Sequence, residues 1–326
     1  MRNNVFIVGN GFDLDLGLPT RYSDFAKSKY WPEENEIDEH TSNRAILSYP
    51  KITQSLASYL DTRRNLPTWF DLEHELLNYA RMHAPTVDIR EEDDRLVERN
   101  VEYYKLLRRR LCEYIKDIQH NSQKKHECIA SKVLTSIVDN GCFASIYSFN
   151  YTNMPTIVSN YNGRGIKNVK CIHIHGCVDD NSIILGVNEQ QLRPGYDSFI
   201  KTSSKYYRSH DLYNTLSHST EIVIFGLSFG DIDYSYFDRF FEQISQGDSI
   251  EEKNKQYITI FTKDDDSRMG ILKQLRKMGI DMQRLYAQSH FQIICTEEDY
   301  YKDALQDFLN RLDKNSERNR PRISVL

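Results

Sequence analysis

The sequence predicts an α/β fold, with a Rossmann-like, mostly parallel sheet and helices on both faces. Short apolar runs rich in β-branched residues recur along the chain, helical segments separate them, and polar or Gly-rich turns follow several of them. Such runs are typical of strands buried on both faces, and parallel strands need crossover connections of helical length. At 326 residues and 39% hydrophobic content, the chain is long enough to bury a large core.

Composition excludes several classes of function. A net charge of −5 and a pI of about 6.1 provide no overall basic field for nucleic acid or an anionic membrane. No apolar stretch approaches the length of a membrane span, and the six cysteines form no C-x-x-C pair. We therefore expect a cytoplasmic chain with reduced thiols and no bound metal, and neither membrane nor nucleic acid as a partner.

The first predicted strand is Val5–Val8, and a Gly-Asn-Gly turn follows it directly. A glycine turn after a buried strand favours a nucleotide loop over a simple tight turn, because it lets the backbone approach a phosphate. The dinucleotide pattern would place a third glycine at position 14, where this chain has Leu14. The predicted loop contacts are Gly9, Asn10, Gly11, Phe12, Asp13, Gly17 and Pro19.

The two acids of this loop, Asp13 and Asp15, are poor phosphate partners. They could stabilise positive charge on a ribose during a reaction. For Asp13, capping of the following helix is an equally good interpretation.

Residues from about 22 to 139 are predicted to form a helical insertion after the first β-α unit. A long amphipathic helix is indicated by apolar residues at three- and four-residue steps. These residues are Val97, Val101, Tyr104, Leu107, Leu111, Ile115 and Ile118. A further helix from about Ser122 is expected to end at Gly141, in the left-handed conformation that glycine favours.

The remaining chain predicts further strands and a terminal helix over about 298–312. The strands are Phe143–Phe149, Val169–His175, Ile183–Gly186, Ile222–Phe225, Tyr257–Phe261 and Phe291–Cys295, and a helix from about Tyr234 to Ser245 precedes the fifth of these. We expect a single α/β domain over residues 1–312 and a flexible charged tail over 313–326.

Polar segments follow four of the strands: GNGFD, NYT, HG and GLSFGD. In open parallel sheets, ligands bind at the carboxyl ends of the strands. These segments are therefore expected to converge on one site.

The motifs GNGFDLDLGLPTRYSDF, SFNYT, HIHG, ILG and GLSFGDIDY occur in this order between residue 5 and about residue 237. Together they resemble the bacterial phage-resistance family AbiH (abortive infection), a divergent branch of sirtuin-like NAD-consuming domains. The resemblance implies that the first loop holds the pyrophosphate of NAD and that Asn150 and His175 are the catalytic residues. It also implies nucleotide contacts at Thr152, Gly226, Ser228 and Asp231.

The chain departs from sirtuin deacylases, which carry a zinc ribbon made by two C-x-x-C pairs. Sirtuins also have an Asp where this chain has Thr152. The resemblance therefore implies cleavage of NAD by water, or sensing of a nucleotide, rather than deacylation. No cofactor is required, because NAD is the substrate.

The chemistry of NAD cleavage gives these residues roles. Nicotinamide leaves as a neutral molecule, so no general acid is needed, but water or a ribose hydroxyl must be oriented and deprotonated. Histidine suits the base, and an amide can hold a hydroxyl from both sides. The structural alternatives are a buried histidine without catalytic role at 175 and a turn-forming asparagine at 150.

Two other functions are compatible with the sequence. A catalytically silent sensor would use the same nucleotide loops. A serine hydrolase is suggested by G-x-S-x-G around Ser228, with Asp264 to Asp266 and His290 following in order, although it leaves the other motifs without a role. For the NAD-cleaving function we expect a phage-derived trigger and self-association through the helical block.

Overall fold

A computed structural model of the protein describes residues 4–37, 54–66, 71–82, 91–141, 143–162, 169–188, 192, 195–230, 232–247 and 251–319. The chain divides into two compact units. The first comprises the described residues of Met1–Leu18, Ser122–Ile174 and Ser209–Leu326. The second comprises those of Pro19–Asn121 and His175–Arg208. Residues 122–139, which we assigned to the helical insertion, fall in the first unit.

The first unit contains a six-stranded parallel sheet in the order β3-β2-β1-β4-β5-β6. This is the strand order of doubly wound nucleotide-binding folds, and it confirms the predicted α/β class. The strands are β1 (Asn4–Val8), β2 (Phe143–Ser148), β3 (Lys170–His173), β4 (Glu221–Phe225), β5 (Gln256–Thr262) and β6 (Ser289–Cys295).

The central strands are apolar because both of their faces are buried. Every residue of β1 and β4 is buried. Ile7 of β1 pairs with Tyr147 of β2 on one side and with Ile224 of β4 on the other. β1 therefore lies in the interior of the sheet, between β2 and β4.

The described residues of the first unit contain eight helices. They are α1 (Asn10–Asp15), α6 (Ile129–Asn140), α7 (Met154–Asn162), α8 (Leu212–His218), α9 (Asp238–Gln246), α10 (Asp265–Lys277), α11 (Met282–Gln288) and α12 (Lys302–Asn319). As predicted, Gly141 ends α6 in the left-handed conformation, with φ of 65°. The terminal helix continues to Asn319, beyond the expected end at Leu312, and α9 begins only after a 3₁₀ turn at Tyr234–Tyr236.

The second unit contains α2 (Tyr22–Ala26), α3 (Leu56–Arg64), α4 (Leu72–Met82) and α5 (Glu91–Asn121). The predicted long amphipathic helix is confirmed as α5. Its apolar stripe packs inward, and Leu107, Leu111 and Ile115 are almost fully buried. Tyr104 on the same face donates a hydrogen bond of 2.6 Å to the carbonyl of Leu185.

The strand predicted at Ile183–Gly186 does not form. The amide of Ile184 donates to the carbonyl of His175 within the same loop. In this part of the described chain, the only ladder contact is an isolated bridge between Val187 and Ile200. The run is apolar because Ile183, Ile184 and Leu185 are buried, and burial alone produces a strand-like pattern.

A buried ion pair attaches α12 to the first residue of β4. The Arg311 guanidinium donates to both carboxylate oxygens of Glu221, at 2.9 and 3.2 Å, and also to Thr259 Oγ1 at 3.2 Å. The Glu221 side chain is 3% exposed. Burial raises the pKa of Glu221, and the Arg311 cation opposes that shift.

We expect Arg311→Met to lower the free energy of unfolding by about 3 kcal/mol, because it leaves the Glu221 carboxylate buried without its cation. The measurement is urea denaturation at pH 7. Arg276→Met is the control: Arg276 is exposed on α10, and such changes cost no more than about 0.5 kcal/mol. Equal effects of the two substitutions would show that the ion pair does not hold α12.

Candidate functional site

The candidate site lies at the carboxyl ends of β1, β2 and β4. Strand order reverses at β1, whose neighbours are β2 and β4. In open α/β sheets, the crevice beside this reversal is where ligands bind. The loops after these strands carry most of the residues that the sequence singled out.

The loops after β1 and β4 are in direct backbone contact. The Gly9 amide donates to the Phe225 carbonyl and the Gly11 amide to the Gly226 carbonyl, both at 2.9 Å. A Cβ added at Gly11 would lie 2.6 Å from Gly226 Cα, and one added at Gly226 would lie 2.3 Å from the Phe12 nitrogen. A side chain at Gly11 would therefore clash with the protein itself, whether or not a ligand is bound.

The other predicted contacts of the first loop have different surroundings. Phe12 is fully buried and packs edge-to-face against Phe6 and Phe225, so its side chain belongs to the core. Asn10 is exposed. Gly17 has φ of 85°, which a glycine adopts without strain. Pro19 belongs to the second unit, where its carbonyl accepts a hydrogen bond from a tyrosine hydroxyl.

The two acids of the loop differ in what they bind. Asp15 accepts a hydrogen bond of 2.7 Å from the Ala130 amide in the first turn of α6. It therefore satisfies one of the backbone amides that a helix leaves free in its first turn. Asp13 caps no helix: its Oδ2 accepts a hydrogen bond of 2.9 Å from the Thr152 hydroxyl.

Asn150 is fixed at the end of β2. Its side chain is buried, and Nδ2 donates a hydrogen bond of 3.0 Å to the Gly9 carbonyl. Its backbone amide donates to Ser148 Oγ at 3.2 Å. Since Nδ2 faces the first loop, the carbonyl oxygen Oδ1 is the atom that can accept a hydrogen bond from a ligand. No hydrogen bond to Oδ1 comes from the described residues.

Asp13 is the most unusual ionisable group of the site. It is 1% exposed, and Oδ1 is buried without a hydrogen-bond partner among the described residues. Burial raises its pKa to about 7, while the Thr152 hydroxyl and the nearby Asn150 amide lower it by less. A buried carboxyl that titrates near neutrality is typical of functional sites.

Three predicted contacts follow β4. Ser228 is exposed, and the next residue, Phe229, adopts a left-handed conformation with φ of 54°. Asp231 lies outside the described residues. Gly226 belongs to the loop contact described above.

The serine hydrolase hypothesis is wrong. His290 lies at the amino end of β6, where it stacks on Tyr257, whereas Ser228 follows the carboxyl end of β4. Asp264 caps α10 through Ser267, and those hydrogen bonds lower its pKa to about 2. The three residues therefore cannot form a catalytic triad.

His175 belongs to the second unit, directly after the last residue of the first unit's middle segment. It is buried, and its Nε2 lies 3.4 Å from Lys201 Nζ. Lys201 in turn pairs with both carboxylate oxygens of Glu73, at 3.2 and 3.3 Å. The Gly186 amide donates to the same carboxylate at 3.1 Å.

The sequence analysis missed the roles of Glu73 and Lys201. Both are buried charges, but they are far apart in sequence and stand in no recognisable motif. An open polar depression with about 420 Å³ of space lies elsewhere in the first unit, between α6 and α12. None of the predicted site residues lines it.

Fold and site together define an α/β protein with Gly-rich and polar loops at the switch point of a parallel sheet. The family model described as "Bacteriophage abortive infection AbiH" matches residues 5–251. The match covers most of the chain, and the chain belongs to this family, as its motifs predicted. A role in abortive infection against bacteriophage follows from that membership. No match was found among curated proteins.

The matched range begins within β1 and extends past the loop after β4, and all of the predicted site residues lie inside it. Among the described helices, none combines the length and the apolar character needed to cross a membrane.

We expect Gly226→Ala to lower the free energy of unfolding by roughly 3 to 5 kcal/mol, because it adds a steric clash with the first loop to the cost of a left-handed alanine. Gly141→Ala is the matched control: Gly141 has a similar φ, but an added Cβ meets nothing within 4 Å. It should cost only about 1 to 2 kcal/mol. Chemical denaturation measures both values, and equal losses would contradict the tight loop contact.

Asp13 makes stability depend on pH. Its pKa is about 7 in the folded protein against an ordinary value of 3.8. Between these values the unfolded chain has released the proton and the folded protein retains it, so unfolding becomes easier as pH rises. Relative to Asp13→Asn, the wild-type free energy of unfolding should fall between pH 4 and 7, by at most about 1.4 kcal/mol per pH unit.

Below pH 4 and above pH 7, the two proteins should show parallel dependence on pH, because Asp13 then has the same charge in both states. The measurement is urea denaturation across this range. Curves that stay parallel from pH 4 to 7 would contradict the raised pKa.

Proposed function

We propose that the chain is a cytoplasmic effector of abortive infection that hydrolyses NAD to nicotinamide and ADP-ribose when phage infection triggers it. The observation that carries the proposal is the arrangement of Asn150. Its amide nitrogen is held by the Gly9 carbonyl at the switch point of the sheet. A buried carboxyl, Asp13, lies beside it.

The reaction requires little proton transfer. Nicotinamide is bound to the ribose as a pyridinium, so it takes the electrons of the glycosidic bond and leaves as a neutral molecule. The ribose becomes oxocarbenium-like, and water adds to it and loses a proton. The protein must orient the water or a ribose hydroxyl, tolerate the positive charge and accept the proton.

Asn150 supplies the orientation. Because Nδ2 is engaged with the Gly9 carbonyl, Oδ1 accepts a hydrogen bond from a ribose hydroxyl or from the attacking water. Holding the reacting groups in this way reduces the entropic cost of the step. The amide cannot rotate freely, since rotation would break its bond to the first loop.

We assign the base to His175. The Lys201 ammonium can only donate a hydrogen bond, so its contact with Nε2 favours a neutral imidazole with the proton on Nδ1. In this tautomer Nε2 carries the free electron pair of the ring, so His175 accepts the proton from water only when Nε2 exchanges its contact with Lys201 for the water molecule. Glu73 holds Lys201 in place through both of its oxygens.

NAD itself is expected to bind along the loops after β1 and β4. Their glycines are occupied in packing against each other, so the polar side chains at their surface, Asn10 and Ser228, are our candidates for the pyrophosphate contacts. NADP or another NAD-like nucleotide would meet the same groups.

A catalytically silent nucleotide sensor is the second candidate. Asn150 and His175 belong to different compact units. A nucleotide can therefore bind to the loops of the first unit without any contribution from the second. Turnover separates the two functions, because a sensor binds NAD and releases no nicotinamide.

The enzyme must be latent in an uninfected cell, because uncontrolled loss of NAD would kill the host. We expect low activity in the isolated protein and a rise with a phage-derived trigger or on self-association. The assay therefore incubates the pure protein with NAD, NADP or ATP, with and without lysate of infected cells, and separates the products by chromatography.

In the triggered protein, Asn150→Ala and His175→Ala should each slow nicotinamide release by about a hundredfold to ten-thousandfold. NAD affinity, measured by calorimetry, should change little, because the pyrophosphate is held elsewhere. Asn153→Ala and His173→Ala are the matched controls. Asn153 caps α7 through the Thr156 amide, and His173 Nε2 faces the Met154 amide.

Both control variants should retain most of the activity. Full turnover in a folded His175→Ala protein would remove His175 from the mechanism. Absence of nicotinamide release from triggered wild-type protein that binds NAD would replace the NADase with the sensor.

A further inference from the structure

The proposed reaction gives no role to the buried carboxyl of Asp13. Its Oδ2 accepts the hydrogen bond of Thr152, which is itself fully buried, and its Oδ1 has no hydrogen-bond partner among the described residues. An unpartnered polar atom in a protein interior is costly. Its position beside the candidate catalytic amide indicates a functional reason for this cost.

The groups that face Asp13 are polar and uncharged. The Thr152 hydroxyl and the Asn150 amide are the only side chains of the described residues that shift its titration, and no charged group contributes. The ionisable groups on the neighbouring elements are engaged elsewhere. Asp15 of α1 binds the Ala130 amide of α6, His173 of β3 faces α7, and Lys125 lies against Gly17.

We propose that Asp13 is a positioning residue whose ionised form holds Asn150 in its active orientation, so that a proton on Asp13 switches the site off. The inference rests on the proposed function, because it assigns a regulator to the same reaction. It gives Asp13, which the first-loop motif places among the predicted nucleotide contacts, a specific role in controlling the reaction.

The hydrogen-bond capacity of a carboxyl group explains the switch. The ionised group only accepts, which suits the hydroxyl of Thr152 and the amide nitrogen of Asn150. The protonated group must donate one hydrogen bond. Oδ1 has no hydrogen-bond partner among the described residues, and a proton on Oδ2 would have to reverse the bond from the Thr152 hydroxyl. The proton removes an acceptor from the Thr152 hydroxyl or from the Asn150 amide, so that the Gly9 carbonyl alone holds the amide in place.

Charge acts in the same direction. Burial weakens the screening of a carboxylate by solvent. An ionised Asp13 therefore stabilises the positive charge that develops on the ribose as nicotinamide leaves. A neutral Asp13 provides no such stabilisation.

The relevant pH range is physiological. The pKa of Asp13 is raised to about 7 by burial, and the Thr152 hydrogen bond lowers it from a still higher value. The ionised fraction therefore changes steeply around neutral pH. Loss of the Thr152 hydroxyl should move the transition to higher pH, and loss of the carboxyl should abolish it.

The first test measures the rate of nicotinamide release by triggered protein from pH 5.5 to 9. In the wild type, kcat should rise about tenfold per pH unit below pH 7 and level off above it, because one ionisation controls the rate. Thr152→Val should move the midpoint to higher pH. Asp13→Asn should lose this transition and lower kcat about 10- to 100-fold at pH 8, with a smaller change in KM.

Thr135→Val is the control, since Thr135 is exposed on α6 and should leave the pH profile of the wild type unchanged. If the role of Asp13 were purely structural, Asp13→Asn would reduce the amount of folded protein. Thr152→Val would then leave the midpoint of the pH profile unchanged.

The second test does not depend on activity. Protein labelled with [4-13C]aspartate is titrated by NMR, and the Asp13 carboxyl signal is identified by its absence in Asp13→Asn. The signal should titrate near pH 7 in the wild type and at higher pH in Thr152→Val. If Asp13→Asn does not fold, the shift of one aspartate signal between wild type and Thr152→Val identifies the group.

Three results overturn the inference. They are an Asp13 signal that titrates below pH 5, an identical pH profile in wild type and Asp13→Asn, and an unmoved midpoint in Thr152→Val. If Asp13 titrates near pH 7 but triggered wild-type protein releases no nicotinamide at any pH, the proposed function itself fails. The NMR and activity results therefore distinguish the two failures.

Discussion

The site depends on the backbone contact between the loops after β1 and β4. The Gly11 amide reaches the Gly226 carbonyl at 2.9 Å, and the space between the loops cannot hold a Cβ on either residue. This contact fixes the position of the Gly9 carbonyl, which in turn accepts the hydrogen bond of Asn150. It also fixes the start of α1 and thereby buries Asp13. A single steric constraint thus determines the orientation of the amide and the environment of the carboxyl group.

The aspartates near the strand ends show how burial decides their chemistry. Asp264 follows β5 at a partly exposed helix terminus, and its hydrogen bonds to Ser267 lower its pKa to about 2. Asp15 accepts a hydrogen bond from the first turn of α6. For Asp13, the hydrogen-bond donor found among the described residues is the Thr152 hydroxyl. Desolvation by burial outweighs it, so the pKa of Asp13 rises to about 7. The three look alike in sequence, since each stands in a polar segment after a strand, and only their surroundings distinguish them.

Much of the sheet could be predicted because parallel strands buried on both faces leave continuous apolar runs. Val5–Val8 and Ile222–Phe225 are examples, and both form central strands. The run at Ile183–Gly186 has the same pattern without forming a strand, because its backbone bonds within its own loop. The glycines of the first loop follow β1 as the sequence predicts. Their packing against Gly226 could not be predicted, since a sequence does not show which loops meet. Glu73 and Lys201 were missed for the same reason: their pairing is entirely tertiary.

The surroundings of His175 in the second unit also depend on contacts between residues that are distant in sequence. Glu73 of α4 accepts the Gly186 amide and pairs with Lys201, so one buried carboxylate connects two parts of the loop that follows His175. Lys201 has no acceptor to offer the imidazole and therefore donates to Nε2. A histidine that serves as a base must be held in one tautomer, and the other ring nitrogen's partner usually selects it. Here the partner is a cation that contacts Nε2, so it orients the ring while occupying the nitrogen that would accept a proton. The cation is itself held in place by the carboxylate that anchors the loop.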